Sequence, residues 1–114
     1  MARIETRFGV ATALGMTYTS LGTVPALTTW NLLLNVTNRT VNTVAFRAYV
    51  ADTSWSSGEP TGGTIKASIA YDYSVSGGAI FQVTGIVMNA TEKLIVYSGT
   101  ASALDVIASG VAIS

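Results

Sequence analysis

The sequence predicts an all-β protein, folded as an antiparallel β-sandwich of jelly-roll-like type. Apolar and polar residues alternate with period two along most of the chain, and no window shows the 3.6-residue period of a helix. Residues that favour turns recur about every ten positions, which leaves room for about seven or eight short strands. The chain has 114 residues, enough for one domain of this kind.

The N-terminal part of the chain divides into a strand and a connection. Residues 3–10 alternate cleanly and are predicted to form a strand with Phe8 and Val10 on one face. The stretch that follows is rich in Gly, Thr and Ser and breaks the alternation. We therefore predict an N-terminal strand or arm with its connection at residues 1–24, followed by a β-sandwich domain at residues 25–114.

Further strands are predicted along the rest of the chain. They lie at residues 28–37, 41–51, 64–74, 79–88, 93–97 and 102–113. Trp30 alternates with leucines and is assigned to the core. Gly85 and Gly110 interrupt strands and are predicted to mark β-bulges. The segments at 31–51 and 92–112 resemble each other and are predicted to form two similar hairpins.

The composition excludes several classes of function. Six basic and six acidic residues give no net charge, and charged residues make up 11% of the chain against roughly 25% in an average protein. Without histidine or cysteine there is no disulfide, no Cys or His metal ligand and no imidazole base. No window approaches the roughly 18 apolar residues of a membrane span, and the first residues do not resemble a secretory signal. The absence of a basic face argues against a nucleic-acid partner.

The remaining polar residues form no motif of catalysis or metal binding. A glycosidase needs two carboxylates facing each other across roughly 5–10 Å, and the spacing of the six carboxylates pairs none of them. Serine catalysis would need Lys66 or Lys93 as the base, and neither lies in such a motif. The segment 52–59 could offer oxygen ligands to calcium but lacks the spacing of a dedicated loop. We expect no enzyme, no cofactor and no metal site.

Apolar residues at outward strand positions predict a covered surface. These positions are Leu33, Ala45, Tyr49, Ala70, Val87, Ile95, Tyr97 and Ile107. If half of them are exposed, they exceed the few hundred Å² of apolar surface that a monomer usually tolerates. Since surface charge is also sparse, we expect the chain to associate with itself.

Trp55 is the most informative single side chain because it lies in the one long loop, residues 52–63. Three interpretations are open: a plug that folds back over the open end of the sandwich, an anchor for a partner surface, and a platform for a sugar ring. The last would need several convergent polar groups as well.

Four segments resemble small virion proteins of tailed bacteriophages. They are TVPA at 23–26, LLLNVTNRT at 32–40, AYDY at 70–73 and GIVMNATEKLIVY at 85–97. The match covers about residues 20–113. Within it, Thr91 replaces the usual glycine and Met88 the usual leucine or serine, and the first residues of the chain are not covered.

The resemblance implies a β-sandwich structural subunit of a virion that is assembled in the bacterial cytoplasm. From it we expect a capsid decoration (cement) protein that stabilises the head. Its partners would be itself, as a homo-oligomer and by analogy a trimer, and the major capsid protein or another virion protein. One alternative is a tail, baseplate or fibre-adaptor subunit. A second is a carbohydrate-binding module that uses Trp55 and the loop tyrosines.

The N-terminal strand and the apolar outward positions supply the predicted interface. The strand either completes its own sheet or adds to a neighbouring subunit or the capsid, in which case Ile4, Phe8 and Val10 set the register. We expect the second arrangement, so that removal of residues 1–14 would leave a folded sandwich. The candidate interface residues are Arg3, Ile4, Arg7, Phe8, Val10, Leu33, Tyr49, Trp55, Ile95 and Tyr97.

Overall fold

The structure, a computed structural model, describes residues 3–113, with side chains described from residue 7 onward. It contains eight strands: β1 (Arg3–Leu14), β2 (Thr19–Thr23), β3 (Thr29–Asn38), β4 (Val44–Ala51), β5 (Ile65–Val75), β6 (Ile80–Met88), β7 (Lys93–Ser98) and β8 (Leu104–Ile113). One short 3-10 turn, Gly62–Thr64, precedes β5. Within the described range, no helix has the length and apolar character needed to span a membrane.

The strands form two four-stranded antiparallel sheets. Sheet A has the order β1-β8-β3-β6, and sheet B has the order β2-β7-β4-β5. Of the successive strands, only β4 and β5 are neighbours within one sheet, and every other connection crosses from one sheet to the other. This is the topology of a jelly roll, so the predicted fold class is confirmed. The two predicted hairpins are wrong, because β3 and β4, like β7 and β8, lie in opposite sheets.

A buried asparagine holds one of these crossings in place. The Asn38 amide nitrogen donates hydrogen bonds to the carbonyl oxygens of Asn42, at 2.8 Å, and Val75, at 2.9 Å. Its Oδ1 accepts hydrogen bonds from the backbone and the hydroxyl of Thr40. Because all of its polar atoms are partnered, Asn38 can be almost fully buried where the chain leaves sheet A.

The hydrophobic core lies between the sheets. It includes Trp30, as the sequence predicts, and the alternate residues Leu32, Leu34 and Val36 of β3. Sheet B contributes, among others, Phe46, Ala48, Val50, Leu94 and Val96. The side chains between these positions therefore face outward and form the two outer faces of the sandwich.

The strand β2 was not predicted. Its residues fall in the stretch that the sequence suggests is irregular, but Leu21 is buried and the strand pairs with β7. Gly22 favours this arrangement, since a Cβ there would lie only 3.0 Å from the Phe8 ring. Small polar residues and a register shift between Ser20 and Gly22 conceal the alternation.

The strand registers decide the remaining local predictions, which concern Gly85, Gly110 and Ala70. Gly85, at φ +74°, lies at a register shift between β3 and β6, as predicted. Gly110 is not a bulge. It pairs regularly with Leu32, and a Cβ there would overlap the carbonyl oxygen of Asn31. Ala70, predicted to face outward, is buried in the core because shifts in the pairing of β5 with β4 change the alternation.

The N-terminal strand completes its own sheet. β1 pairs with β8 from Arg3↔Ile113 to Leu14↔Leu104. A register shift between Arg7 and Gly9 turns Phe8 inward and leaves Val10 facing outward, so the prediction that both share a face is wrong. The first of the two arrangements considered for this strand is therefore the one in the structure, and β1 and β2 belong to the two sheets of the sandwich.

Two substitutions in β1 test this placement. Phe8→Ala removes a ring that packs edge-on against Trp30, with 5.2 Å between centroids, and should lower the free energy of unfolding by about 2–3 kcal/mol. Val10→Ala, on the outward side, should lower it by less than about 1 kcal/mol. Urea denaturation at two dilute protein concentrations measures both values. Equal and negligible effects would place β1 outside the core of its own chain.

Candidate interaction surface

The outer face of sheet B carries a second apolar cluster. Tyr49, Ala51 and Ile95 are buried there, with exposed fractions of 2%, 0% and 0%. Trp55 and Tyr18 pack over them. Tyr49 and Ile95 face outward from sheet B, as expected, but they are buried because the loop between β4 and β5 folds back over this face.

Hydrogen bonds within the loop, and one from Lys93 of β7, hold this loop in place. The Trp55 Nε1 donates to the Gly58 carbonyl oxygen at 2.8 Å, and the Lys93 Nζ donates to the Trp55 carbonyl oxygen at 2.9 Å. The Asp52 Oδ1 accepts a hydrogen bond from the Ser54 backbone, as in an ordinary Asx turn. Trp55 is thus a plug, but it covers the outer face of sheet B rather than the open end of the sandwich.

Arg47 of β4 joins this loop to two strands. Its Nε and Nη2 donate to the two carboxylate oxygens of Asp72 at 2.6 and 3.0 Å. Its Nη1 donates to the Tyr18 hydroxyl at 2.7 Å and to the Glu59 carboxylate at 3.1 Å. The Tyr49 hydroxyl donates to the same Glu59 oxygen at 2.8 Å. We call these five residues the Arg47 network.

An aromatic ring lies over the guanidinium of the network, and hydrogen bonds and burial shift the pKa values of its members. The guanidinium carbon lies 4.2 Å from the centroid of the Tyr71 ring, a cation–π distance. The hydrogen bond to Asp72 raises the pKa of Arg47 and lowers that of Asp72. Burial, followed by the adjacent Glu59 carboxylate, raises the pKa of Tyr49. Burial also raises the pKa of Tyr18.

The Arg47 network is therefore a latch within the chain. Glu59 and Asp72, two carboxylates that the fold does bring together, are both engaged by one guanidinium. Asp52 and Glu59, the candidate calcium ligands, bind different partners. Among residues 7–113, no group of three acidic side chains is arranged to hold a metal ion.

The outer face of sheet A is different, because its described charged side chains lie only at its margins, with Arg7 on the edge strand β1 opposite Ser109 and Asp105 at one end of β8. In its middle, apolar side chains alternate with amides and hydroxyls, and we call this part the uncharged face. Its members are Val10, Leu33, Asn35, Ile80, Gln82, Val87, Ile107, Ser109, Val111 and Ile113. β3, β6 and β8 together contain a single charged residue, Asp105. Asp105 lies at one end of the face and pairs with Arg39 at 3.0 Å.

The centre of the uncharged face contains an incompletely bonded amide. Asn35 lies between Gln82 of β6 and Ile107 of β8. Its Oδ1 is buried and has no hydrogen-bond partner within the described part of the chain. Nearby, Gly85 and Gly110 leave a shallow groove in the same face.

The predicted interface residues separate into several groups. Val10 and Leu33 lie on the uncharged face. Arg7 is exposed at the β1 margin of the same side of sheet A, while Phe8 packs into the core. Arg3 and Ile4 belong to β1, and their side chains lie outside the described residues.

The remaining candidates lie together on the outer face of sheet B. Tyr49 and Ile95 are buried beneath the loop, and Trp55 covers them. Tyr97 is half-buried and stacks on Tyr18, with 4.4 Å between centroids. These residues are occupied by contacts within their own chain.

Sequence reasoning missed part of each surface. Val87 and Ile107 were expected to face outward, and they do, but Ile80, Val111 and Ile113 were not singled out. Alternation along β6 and β8 is the signal that could have found them. No local signal announces the Arg47 network, whose members come from three strands or their flanks and from a loop.

Comparison of the chain with protein-family models, curated proteins and solved structures finds no match. The function is therefore argued from the surfaces of the molecule.

Replacing Arg47 tests the latch. Arg47→Met leaves Asp72 and Glu59 without their cation and should lower the free energy of unfolding by about 2 kcal/mol. It should also speed chymotrypsin cleavage after Trp55. The matched control is Arg39→Met, which breaks the more exposed pair with Asp105 and should lower stability by less than about 1 kcal/mol. Similar effects of the two variants on stability and cleavage would contradict the latch.

The raised pKa of Tyr49 predicts a loss of stability in alkali. The folded chain holds this proton more tightly than the unfolded chain, whose tyrosine pKa is near 10.0. By linkage, the free energy of unfolding is unaffected by this group at neutral pH and falls as the pH rises above about 10. Denaturant unfolding between pH 9 and 11 should show a smaller fall in Tyr49→Phe than in the wild type. The same fall in both would show that Tyr49 does not contribute.

Proposed function

We propose that this protein is a structural subunit of a bacteriophage virion, assembled in the cytoplasm of the host cell. Its role would be that of a capsid decoration protein, which binds the outside of the head as a homo-oligomer, expected to be a trimer, and stabilises it. The observation that supports this role best is the uncharged face. The strand and turn motifs that resemble phage virion proteins support the location in a virion.

The uncharged face suits permanent docking. Apolar side chains on it, such as Val10, Ile80 and Val87, are exposed in the single chain and gain from removal of water at about 25 cal/mol per Å². Without a central ion, docking carries no penalty for desolvating a charge. The mechanism is mechanical and non-enzymatic: many weak contacts hold neighbouring subunits of the shell together.

The two alternative functions differ in the observations that support them. A tail, baseplate or fibre-adaptor subunit would use the same surface, and the features of the chain do not separate head from tail. The carbohydrate-binding alternative depends on Trp55, whose indole packs against its own loop and sheet. No feature of that site favours a sugar.

Electron microscopy of labelled particles tests the proposal. The gene is tagged in the virus that encodes it, and particles are imaged with a gold label on the tag. Label spread over the head is expected. Label confined to the tail would replace decoration by the tail alternative, and unlabelled particles would contradict a virion role.

Salt dependence tests the nature of the contact. Because the proposed contact between copies is uncharged in its centre, the affinity of copies of the chain for one another should change less than about threefold between 0.1 and 1 M NaCl. Sedimentation equilibrium at the two salt concentrations measures this affinity. A loss of binding of tenfold or more at high salt would indicate docking through charged residues instead.

A further inference from the structure

The outer faces of the two sheets differ in whether the chain itself covers them. On sheet B, the apolar residues Tyr49 and Ile95 are covered by the chain's own loop, and Arg47 and its partners hold that cover down. On sheet A, no described segment of the chain lies over the uncharged face. Val87, near the end of β6, keeps an exposed fraction of 58%.

We propose that a second copy of this chain docks on the uncharged face and covers it. The inference deepens the proposed function, on which it rests, by assigning the contact between subunits to one surface. Because the same face lies on both sides of that contact, it joins copies in pairs, in place of the trimer expected by analogy. It places that contact on the outer side of sheet A, around Leu33, Val87 and Ile107.

Charge is the first argument for a second copy. When the same surface contributes to both sides of a contact, every charged group on it risks meeting a like charge. The uncharged face has none in its centre, Arg7 lies at the β1 margin beside it, and Asp105 at its end is paired with Arg39, so charged groups meet only at the rim of such a contact. The whole chain also has no net charge, so long-range repulsion does not oppose association of copies.

Area is the second argument. Four strands spaced about 4.8 Å apart and about 30 Å long present a face of roughly 600 Å². If each of two copies buries that much, about 1,200 Å² is removed from water, which reaches the lower limit for a stable, specific interface. A single sheet face of this chain is therefore large enough to hold a copy.

Chemical complementarity is the third argument. Apolar side chains and amides alternate on the face, so a copy brings aliphatic groups for its aliphatic groups and amides for its amides. The side-chain Oδ1 of Asn35, in the centre, accepts no hydrogen bond from the described part of the chain. Rotation of that amide would present the oxygen to a donor such as Gln82 of a neighbouring copy.

Matched valine substitutions test the inference. Val87→Asp places a carboxylate in the uncharged face, and Val41→Asp places one in the connection between β3 and β4, where the valine is 93% exposed. Sedimentation equilibrium should give the wild type and Val41→Asp a mass that is a multiple of 11.8 kDa at micromolar concentration. Val87→Asp should weaken association by at least about 100-fold. Ile80→Asp, on the same face, is the second variant and should behave as Val87→Asp does.

The outcomes separate this inference from the proposed function. Circular dichroism first confirms that each variant is folded. A wild type that stays monomeric at 100 μM, or variants Val87→Asp and Ile80→Asp that associate as the wild type does, would overturn the inference. Particle binding is measured separately: copies that associate through this face but never bind a virion would leave the inference standing and overturn the proposed function.

Discussion

A two-layered sandwich can hide only the inner faces of its two sheets, and that constraint governs this molecule. Nearly half of the chain is hydrophobic, and the space between the sheets takes only alternate residues of each strand. The remaining apolar residues lie on the outer faces, where they are exposed to water unless something covers them. Each outer face must therefore be covered by other parts of the chain, covered by another molecule, or left exposed.

On sheet B, the chain covers its own outward apolar residues. The loop between β4 and β5, the only connection that joins neighbouring strands of one sheet, is long enough to fold over Tyr49 and Ile95. Arg47 binds Glu59 of that loop and Asp72 of β5 at once, so the cover and the edge strand are tied to the same side chain. Most of the charge on this face serves the chain's own structure, which leaves the uncharged face of sheet A as the surface for partners.

Period-two alternation predicted every strand except β2, the fold class and the burial of Trp30, because these depend on which residues face inward. What it could not predict depends on pairing between distant segments. The register shift beside Phe8 turns that ring into the core, and shifts in β5 bury Ala70. The cover over Tyr49 comes from a different part of the chain, so no local pattern distinguishes this covered tyrosine from an exposed one.

The apolar side chains on the outer face of sheet A therefore require a second copy of the chain to cover them. An isotope-filtered NOE experiment on a mixture of labelled and unlabelled chains measures such contacts directly. We expect intermolecular NOEs at the methyl groups of Leu33, Val87 and Ile107, and none at Val41. Intermolecular NOEs that are absent, or that come only from the sheet B side around Tyr71, would contradict this contact between copies.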